Sequence, residues 1–318
     1  MAREIKIVFK MKKQKKIELL LLAILFMSLQ SYTQQLPHYT QYLYNMQIIN
    51  PAFVGYRAEL SMSVLARQQW IGVEGAPTTR TFSLNGRTRR GLGLGTTIVN
   101  DKIGLSETTN INVDASYTVV LSQKSRLAFG LKGGLLFFNN NLFDGITPDS
   151  DVYASTTGRF VNVGFGGLFY TKKFYIGLSV PQLLESPQFY IEDNLQQGSL
   201  ATNPNIFLST GVLFKLSEDV LFRPSTMVRY TTNLPVSVDV NTSFLYKNRI
   251  ETGVSYRYKN SISGLFTLIL NKKYRIGYAY DHRFSILGGN LSSHEIVFQM
   301  DLNFKRNTRW LLFNDCYF

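Results

Sequence analysis

From about residue 59 to residue 304 the chain alternates apolar and polar residues with a period of two, the pattern of strands that show one face to each of two environments. An amphipathic helix does not fit, because its apolar residues recur at spacings of three and four. In Asn110 to Val119 the apolar set is Ile111, Val113, Ala115, Tyr117 and Val119, while the other face carries Asn110, Asn112, Asp114, Ser116 and Thr118. Val236 to Tyr246, Arg249 to Tyr258 and Lys273 to Asp281 repeat the pattern, and His294 to Phe304 sets Ile296, Phe298, Met300, Leu302 and Phe304 against Glu295, Gln299, Asp301 and Asn303. Strands are predicted near 59–70, 79–89, 91–99, 109–120, 126–137, 160–170, 173–180, 206–215, 219–230, 236–246, 249–258, 262–270, 273–281 and 294–304, about fourteen in all. Their lengths cluster around the roughly 9 to 11 residues of a tilted transmembrane strand.

A soluble sandwich alternates in the same way, so the connections decide. Every second one is a short turn: Arg87 to Arg90, Leu121 to Ser125, Thr171 and Lys172, Lys215 to Asp219, Lys247 and Asn248, Asn271 and Lys272. The intervening ones are usually longer, notably Phe138 to Arg159, Pro181 to Asn205 and His282 to Ser293, although Thr231 to Pro235 and Lys259 to Ser261 break the rhythm. Tight periplasmic turns and longer outer loops are the asymmetry of outer-membrane barrels. The expectation is therefore an all-β fold, a transmembrane antiparallel β-barrel closed so that no backbone edge faces lipid.

Aromatic residues and glycines support it. Tyr42, Tyr44, Tyr256, Tyr258, Tyr274, Tyr278, Tyr280 and Phe304 lie near predicted strand ends or on the apolar face, as interfacial girdles do. A sandwich core would favour Val, Ile and Leu over rings whose hydroxyls need partners. The opposite face carries Gly91, Gly93, Gly95, Gly130, Gly164, Gly166 and Gly277, which suits a crowded lumen. Fourteen strands are too many for a tight side-chain core and fewer than those of a water-filled porin, so a plug is expected. The segment 34–58, which is not strand-like, is the first candidate for it and Pro181 to Asn205 the second.

The first 33 residues read differently. Lys12, Lys13, Lys15 and Lys16 precede the apolar run Leu19 to Met27, and the polar stretch Ser28 to Gln35 follows. This is the layout of a signal peptide cleaved near Thr33, with Met11 serving equally well as a start. The run is too short to span a bilayer as a helix, which needs about 20 residues, although an uncleaved anchor is the alternative. Residues 305–318 form a C-terminal tail. Part of the net charge of +13 belongs to the leader, and the remainder lacks the basic helix or aromatic strand motif that would point to nucleic acid. The single cysteine, Cys316, allows no internal disulfide.

No enzyme active site, cofactor or metal is expected. Gly91-Leu-Gly-Leu-Gly95 lies inside a strand pattern with no helix after it, so it fails as a phosphate loop. Asp281-His282 and His294-Glu295 flank the last outer loop and could meet at a metal, but a polar cluster closing that loop explains them without diagnostic ligand spacing.

Several short motifs carry a resemblance. Gln34-Gln35-Leu-Pro37-His-Tyr39-Thr-Gln41-Tyr42 leads to Asn50-Pro51-Ala52-Phe53-Val-Gly55, then Arg67-Gln-Gln69-Trp70 and Glu74-Gly75-Ala76-Pro77-Thr78. Tyr274-Arg-Ile-Gly277-Tyr278-Ala-Tyr280-Asp281 and His294-Glu295-Ile296 follow near the end. Together they resemble the PorP/SprF family of type IX secretion outer-membrane proteins of Bacteroidetes, with Thr33 and Thr40 as departures. The resemblance implies a barrel that serves type IX protein export or gliding among outer-membrane lipids. It also implies periplasmic lipoprotein or ring components, or a secreted or surface adhesin client, as partners.

The motif residues have structural readings of their own. Pro51 and Gly55 would bend the segment entering the barrel, Asn50 would hydrogen-bond that bend, Trp70 would sit at the outer interface, and Gly75 to Pro77 would shape the first outer loop. Arg87, Arg89, Arg90, Lys124, Lys172, Lys215, Lys247, Arg249, Lys272 and Lys273 make the rim with the short turns basic, as a solvated edge or as a dock for an acidic periplasmic partner. Two function classes remain: a binding component of export, and a diffusion channel or hydrophobic-solute transporter. A secreted soluble lectin is a third.

Overall fold

A computed structural model describes residues 39–88, 90–140, 156–184, 204–232, 234–284 and 292–304. The expected signal peptide, the C-terminal tail, Arg89 and most of the second plug candidate lie outside the described residues. Fifteen strands follow three short 3-10 turns: β1 (Leu60–Gln68), β2 (Thr78–Arg87), β3 (Leu92–Ile103), β4 (Ser106–Val120), β5 (Ser125–Asn140), β6 (Thr156–Thr171), β7 (Phe174–Val180), β8 (Asn205–Val212), β9 (Phe214–Lys215), β10 (Val220–Thr231), β11 (Ser237–Tyr246), β12 (Ile250–Arg257), β13 (Ser261–Leu270), β14 (Tyr274–Arg283) and β15 (Ser292–Leu302). Sequence neighbours pair antiparallel, except that β8 and β9 both pair with β10, and β1 closes on β15 from Leu60 opposite Leu302 to Gln68 opposite His294. β9 continues β8 past Leu213, since both meet β10 in one register, with Gly211 opposite Ser225 and Phe214 opposite Phe222. The wall is thus a closed fourteen-stranded barrel, as the alternation predicts.

Its faces are inverted relative to a soluble protein. On β4, Asn112, Asp114 and Ser116 are buried toward the lumen, while Val113 and Tyr117 are 63% and 54% exposed on the outside. On β5 and β6, Leu131, Phe129, Val161 and Phe165 likewise point outward. A sandwich would bury that apolar set; here it forms the lipid-facing belt, where closure pairs the backbone that a bilayer cannot hydrate. Tyr256, Tyr258, Tyr274, Tyr278, Tyr280 and Phe304 are exposed on this face. Tyr42 and Tyr44 are not: both are buried among the 3-10 turns inside the barrel, which corrects the expectation that they join the girdle.

The short turns fall at one end, the periplasmic end of such barrels. At two of them the central pair takes left-handed conformations, Lys247 and Asn248 (φ 48° and 54°) and Asn271 and Lys272 (φ 51° and 55°), the geometry of a type I′ hairpin. Gly91, expected on the lumen face, belongs to the β2–β3 turn at φ +83°. At the opposite end the wall is uneven. β3 to β6 run 12, 15, 16 and 16 residues, whereas β7 has 7 and β8 has 8. β3 and β4 reach higher than the alternation indicates and are joined at Gly104-Leu105, so the outer connection expected near residues 100–108 is a tight hairpin.

Candidate functional site

The lumen is occupied by the chain's own Tyr39–Ala58. This segment descends along the inner wall from the loop end, where Tyr39 Oη meets Thr81 Oγ1 at 3.1 Å, to the periplasmic end, where Arg57 Nη1 donates to Gln299 Oε1 at 2.7 Å. It makes no regular helix; its polar backbone is satisfied by side chains of the wall. The expectation that residues from 34–58 enter the lumen holds for the described part.

At the upper end one carboxylate holds the chain. Glu295 on β15 accepts the backbone N–H of Thr40 at 3.0 Å and of Gln41 at 2.7 Å, and its own carbonyl accepts from Gln41 Nε2 at 3.2 Å. Arg67 on β1 neutralises it, donating from Nη1 to Glu295 Oε2 and Thr40 Oγ1, both at 3.0 Å, and from Nη2 to Asp281 Oδ2 at 2.8 Å. Ser263 Oγ completes Asp281 at 2.7 Å. Arg67, Asp281 and Glu295, named by the sequence for their motifs, form one buried cluster whose purpose is visible: it seats the plug. Thr40 supplies a hydroxyl to this cluster, so its departure from the family pattern keeps the hydrogen bond.

A second cluster grips the middle. Asp114 on β4 accepts from Gln47 Nε2 at 2.9 Å and Thr97 Oγ1 at 3.0 Å and pairs with Lys132 Nζ at 3.1 Å, while Lys132 also reaches the Gln47 carbonyl at 3.2 Å. Tyr44 Oη donates to Glu251 at 2.5 Å, and Glu251 is paired with Arg223. The alternation places Asp114 on the polar face and Tyr44 in the aromatic girdle, and it does not single out Gln47, Thr97, Lys132, Arg223 or Glu251. Lys132 between Gly130 and Gly134 was the available signal, because a charge in mid-strand at membrane depth must face inward to a partner.

Below this, Asn50-Pro51-Ala52 acts as the sequence implies. Asn50 caps the turn, its Oδ1 accepting from Ala52 N at 2.9 Å, and its Nδ2 donates to the Gly167 carbonyl at 3.1 Å. Gly55 takes φ +68° where the segment turns toward β1. The wall opposite is made of glycines because the backbone of the plug lies against it: a Cβ on Gly130 would fall on Pro51 and Ala52, one on Gly166 on Asn50, and one on Gly93 within 2.6 Å of the Val54 carbonyl. Phe53 packs edge-on to Tyr175 at 5.7 Å, and Tyr56 to Tyr170 at 5.0 Å, closing the lower lumen with rings. Beside them a small solvent-open recess, lined by Arg57, Ser61, Ser63, Asn85 and Gln299 among others, remains at the periplasmic half.

The remaining motif residues organise the loop end. Gln69 N donates to the Pro77 carbonyl and Gly104 N to the Gly75 carbonyl, both at 2.9 Å, which docks the first outer loop on the β3–β4 hairpin. Trp70 lies just beyond β1, with the Arg283 guanidinium 5.8 Å above its ring. His294 faces outward, accepting or donating at 2.6 Å to Tyr278 Oη and lying edge-on to Tyr280. Strand parity separates each histidine from its acidic neighbour: Asp281 and Glu295 point inward, His282 and His294 outward. Among the described residues no group of three or more metal-binding side chains converges.

Of the predicted basic rim, Arg90, Lys124, Lys172, Lys215, Lys247, Arg249, Lys272 and Lys273 are exposed together at the periplasmic end, with Arg87 half-buried below them. Two acids temper it. Glu218 pairs with Lys215 at 2.8 Å, whose hydrogen bond and charge hold its carboxyl below the ordinary range. Tyr246 and then Asp219 hold the Lys247 ammonium above its own.

The profile of the family described as "Type IX secretion system membrane protein PorP/SprF" matches residues 31–300. This chain belongs to the PorP/SprF family. Among solved structures, this PorP/SprF protein is similar to the TodX deltaS2S3 mutant monoaromatic hydrocarbon channel, at 11% identity over 82% of this chain and 94% of that one, with a TM-score of 0.50. The CymD monoaromatic hydrocarbon channel gives the same figures. The Acinetobacter baumannii outer membrane protein Omp33 is 5% identical over 78% and 100% of the two chains, with a TM-score of 0.48. At such identities the likeness is one of fold, an outer-membrane barrel. No curated protein matches.

Proposed function

We propose that this PorP/SprF protein is a non-enzymatic outer-membrane component of type IX secretion that binds an exported or surface-anchored client and supports its export or anchoring, in some cells as part of gliding. Support comes from the family and from one structural observation above all: the lumen is filled by Tyr39–Ala58, seated by buried ion pairs and glycine contacts on the wall. A plug anchored at three levels argues against an open diffusion pore, the water-filled lumen of a porin. The channel reading draws on the hydrocarbon channels of similar fold, and at 11% identity these speak for architecture alone.

The basic periplasmic rim is the proposed dock for lipoprotein or ring components with an acidic face. Opposite charges there would set orientation and on-rate more than final affinity. Affinity purification of the tagged protein from growing cells is expected to bring down periplasmic machinery and an exported client. Reversing Lys247, Arg249, Lys272 and Lys273 to glutamate is expected to lower recovery of the periplasmic partners about tenfold, since each exposed pair contributes roughly 0.2–1 kcal/mol. Unchanged recovery of those partners from the reversed rim contradicts the dock, and recovery of neither partner nor client from the wild-type protein contradicts the function.

A further inference from the structure

Among the described residues the step in the wall leaves a strand edge unpaired on the outer side. β6 is paired with β5 along its whole length, from Thr156 opposite Asn140 to Thr171 opposite Ser125, but β7 covers only Phe165 to Tyr170. Residues 156–164 therefore stand above β7, a span of about 30 Å at roughly 3.3 Å per residue. The chain leaving β7 follows this edge a short way: Leu183 N donates to the Val163 carbonyl at 2.8 Å, and Asn162 Nδ2 to the Pro181 carbonyl at 3.2 Å. Above that point no described element pairs with it.

Period-two geometry fixes which groups are left. The Val163 carbonyl points to this edge, so the N–H and C=O of Val161, Arg159 and Thr157 point the same way, while alternate residues bond to β5. Thr157 and Arg159 carry exposed side chains beside polar Asn139, whereas Val161 and Leu135 below them are apolar and exposed. The edge thus begins at the outer boundary of the lipid belt and rises beyond it, where an unpaired backbone can be hydrated until a strand takes its place.

We propose that the β6 edge from Thr157 to Val161 is the client-docking site, and that it takes an extended segment of the exported polypeptide as an added strand with a carboxylate opposite Arg159. This rests on the reading of the protein as a client-binding component. Three features favour that occupant. A strand edge recognises backbone, so it suits a polypeptide rather than a solute. It faces the outer side, where an exported protein emerges. Arg159 is exposed at its centre with no acidic partner among the described residues, which selects an acidic residue across the pair.

The test uses a photocrosslinking benzoylphenylalanine at position 159 or 157 of the full chain in growing cells, with products identified by mass spectrometry. Arg159→Pro is the functional variant, since its N–H faces the open edge and its loss spares the β5 ladder; Arg159→Glu reverses the charge alone. The expected result is a cross-link to one extended segment of an exported protein, whose synthetic peptide binds the purified wild-type barrel and binds either variant at least about tenfold more weakly. Cross-links confined to residues 185–203 of the same chain or to a second copy, or peptide binding unchanged by Arg159→Pro, overturn the edge as the docking site while leaving client binding elsewhere intact. Failure of the wild-type protein to retain any exported protein overturns the function and the site together.

Discussion

Replacing Gly130 with leucine is expected to give a barrel that still enters the outer membrane but no longer holds its plug. Gly130 lies on the inner face of β5, where even a methyl group would coincide with the backbone of Pro51 and Ala52, so the larger side chain and the segment cannot share the lumen. Backbone cannot swing aside as the end of a flexible side chain would, and Asn50 beside it is held by the Gly167 carbonyl. The lipid-facing belt is untouched by the change, so insertion persists while ion conductance in planar bilayers rises well above that of the wild type. Gly133 provides the control. It sits on the same strand with nothing within 4 Å of an added Cβ, and Gly133→Leu is expected to leave conductance low. Equal conductance in the two variants contradicts a lumen closed by Tyr39–Ala58.

Arg67→Ala is expected to destabilise the detergent-solubilised barrel by about 3–5 kcal/mol, the usual consequence of leaving buried carboxylates without their cation. Arg67 is 3% exposed and is the shared partner of Glu295 and Asp281, so its removal strands two charges and loosens Thr40 and Gln41 at once. Unfolding followed by the gel mobility of the folded barrel measures it. Converting the acids as well, in a triple variant Arg67→Met, Asp281→Asn and Glu295→Gln, is expected to recover most of the loss, because the penalty belongs to unpaired charge rather than to the arginine itself. If the triple variant is as unstable as Arg67→Ala, the cluster stabilises through shape and not through charge.

Much of the barrel was legible because membranes impose a simple rule on strands. The alternation in Asn110 to Val119 predicts which side chains face lipid without any knowledge of partners, and the structure places them so. Where the rule stops applying, the reading falls short. β5 and β6 extend beyond the apolar belt, and residues such as Asn139 and Asn140 need no lipid-facing partner there, so the pattern ends before the strands do. For the same reason the alternation leaves Gly104-Leu105 in a longer connection than the hairpin that joins β3 and β4.

The lumen was legible only in outline. The glycines announce a crowded inner face, but the contacts that explain them join residues far apart, as Gly130 with Ala52 and Gln41 with Glu295. Tyr42 and Tyr44 look like girdle residues because an aromatic ring with a hydroxyl suits both an interface and a polar interior. Their hydroxyls meet Asn241 and Glu251 on strands some two hundred residues away, a relation that periodicity does not encode. The basic turns were visible outright, since Lys and Arg at hairpin tips need no tertiary information.

The most direct test of the central claim compares surface and culture-fluid proteins between the wild type and a strain lacking this protein. Loss of one exported or surface protein, or retention of many in the periplasm, is the result expected of a client-binding component of type IX secretion; the first identifies a dedicated partner and the second a general one. An unchanged set of exported proteins, together with reduced uptake of a small solute, would contradict the account and make the barrel a channel.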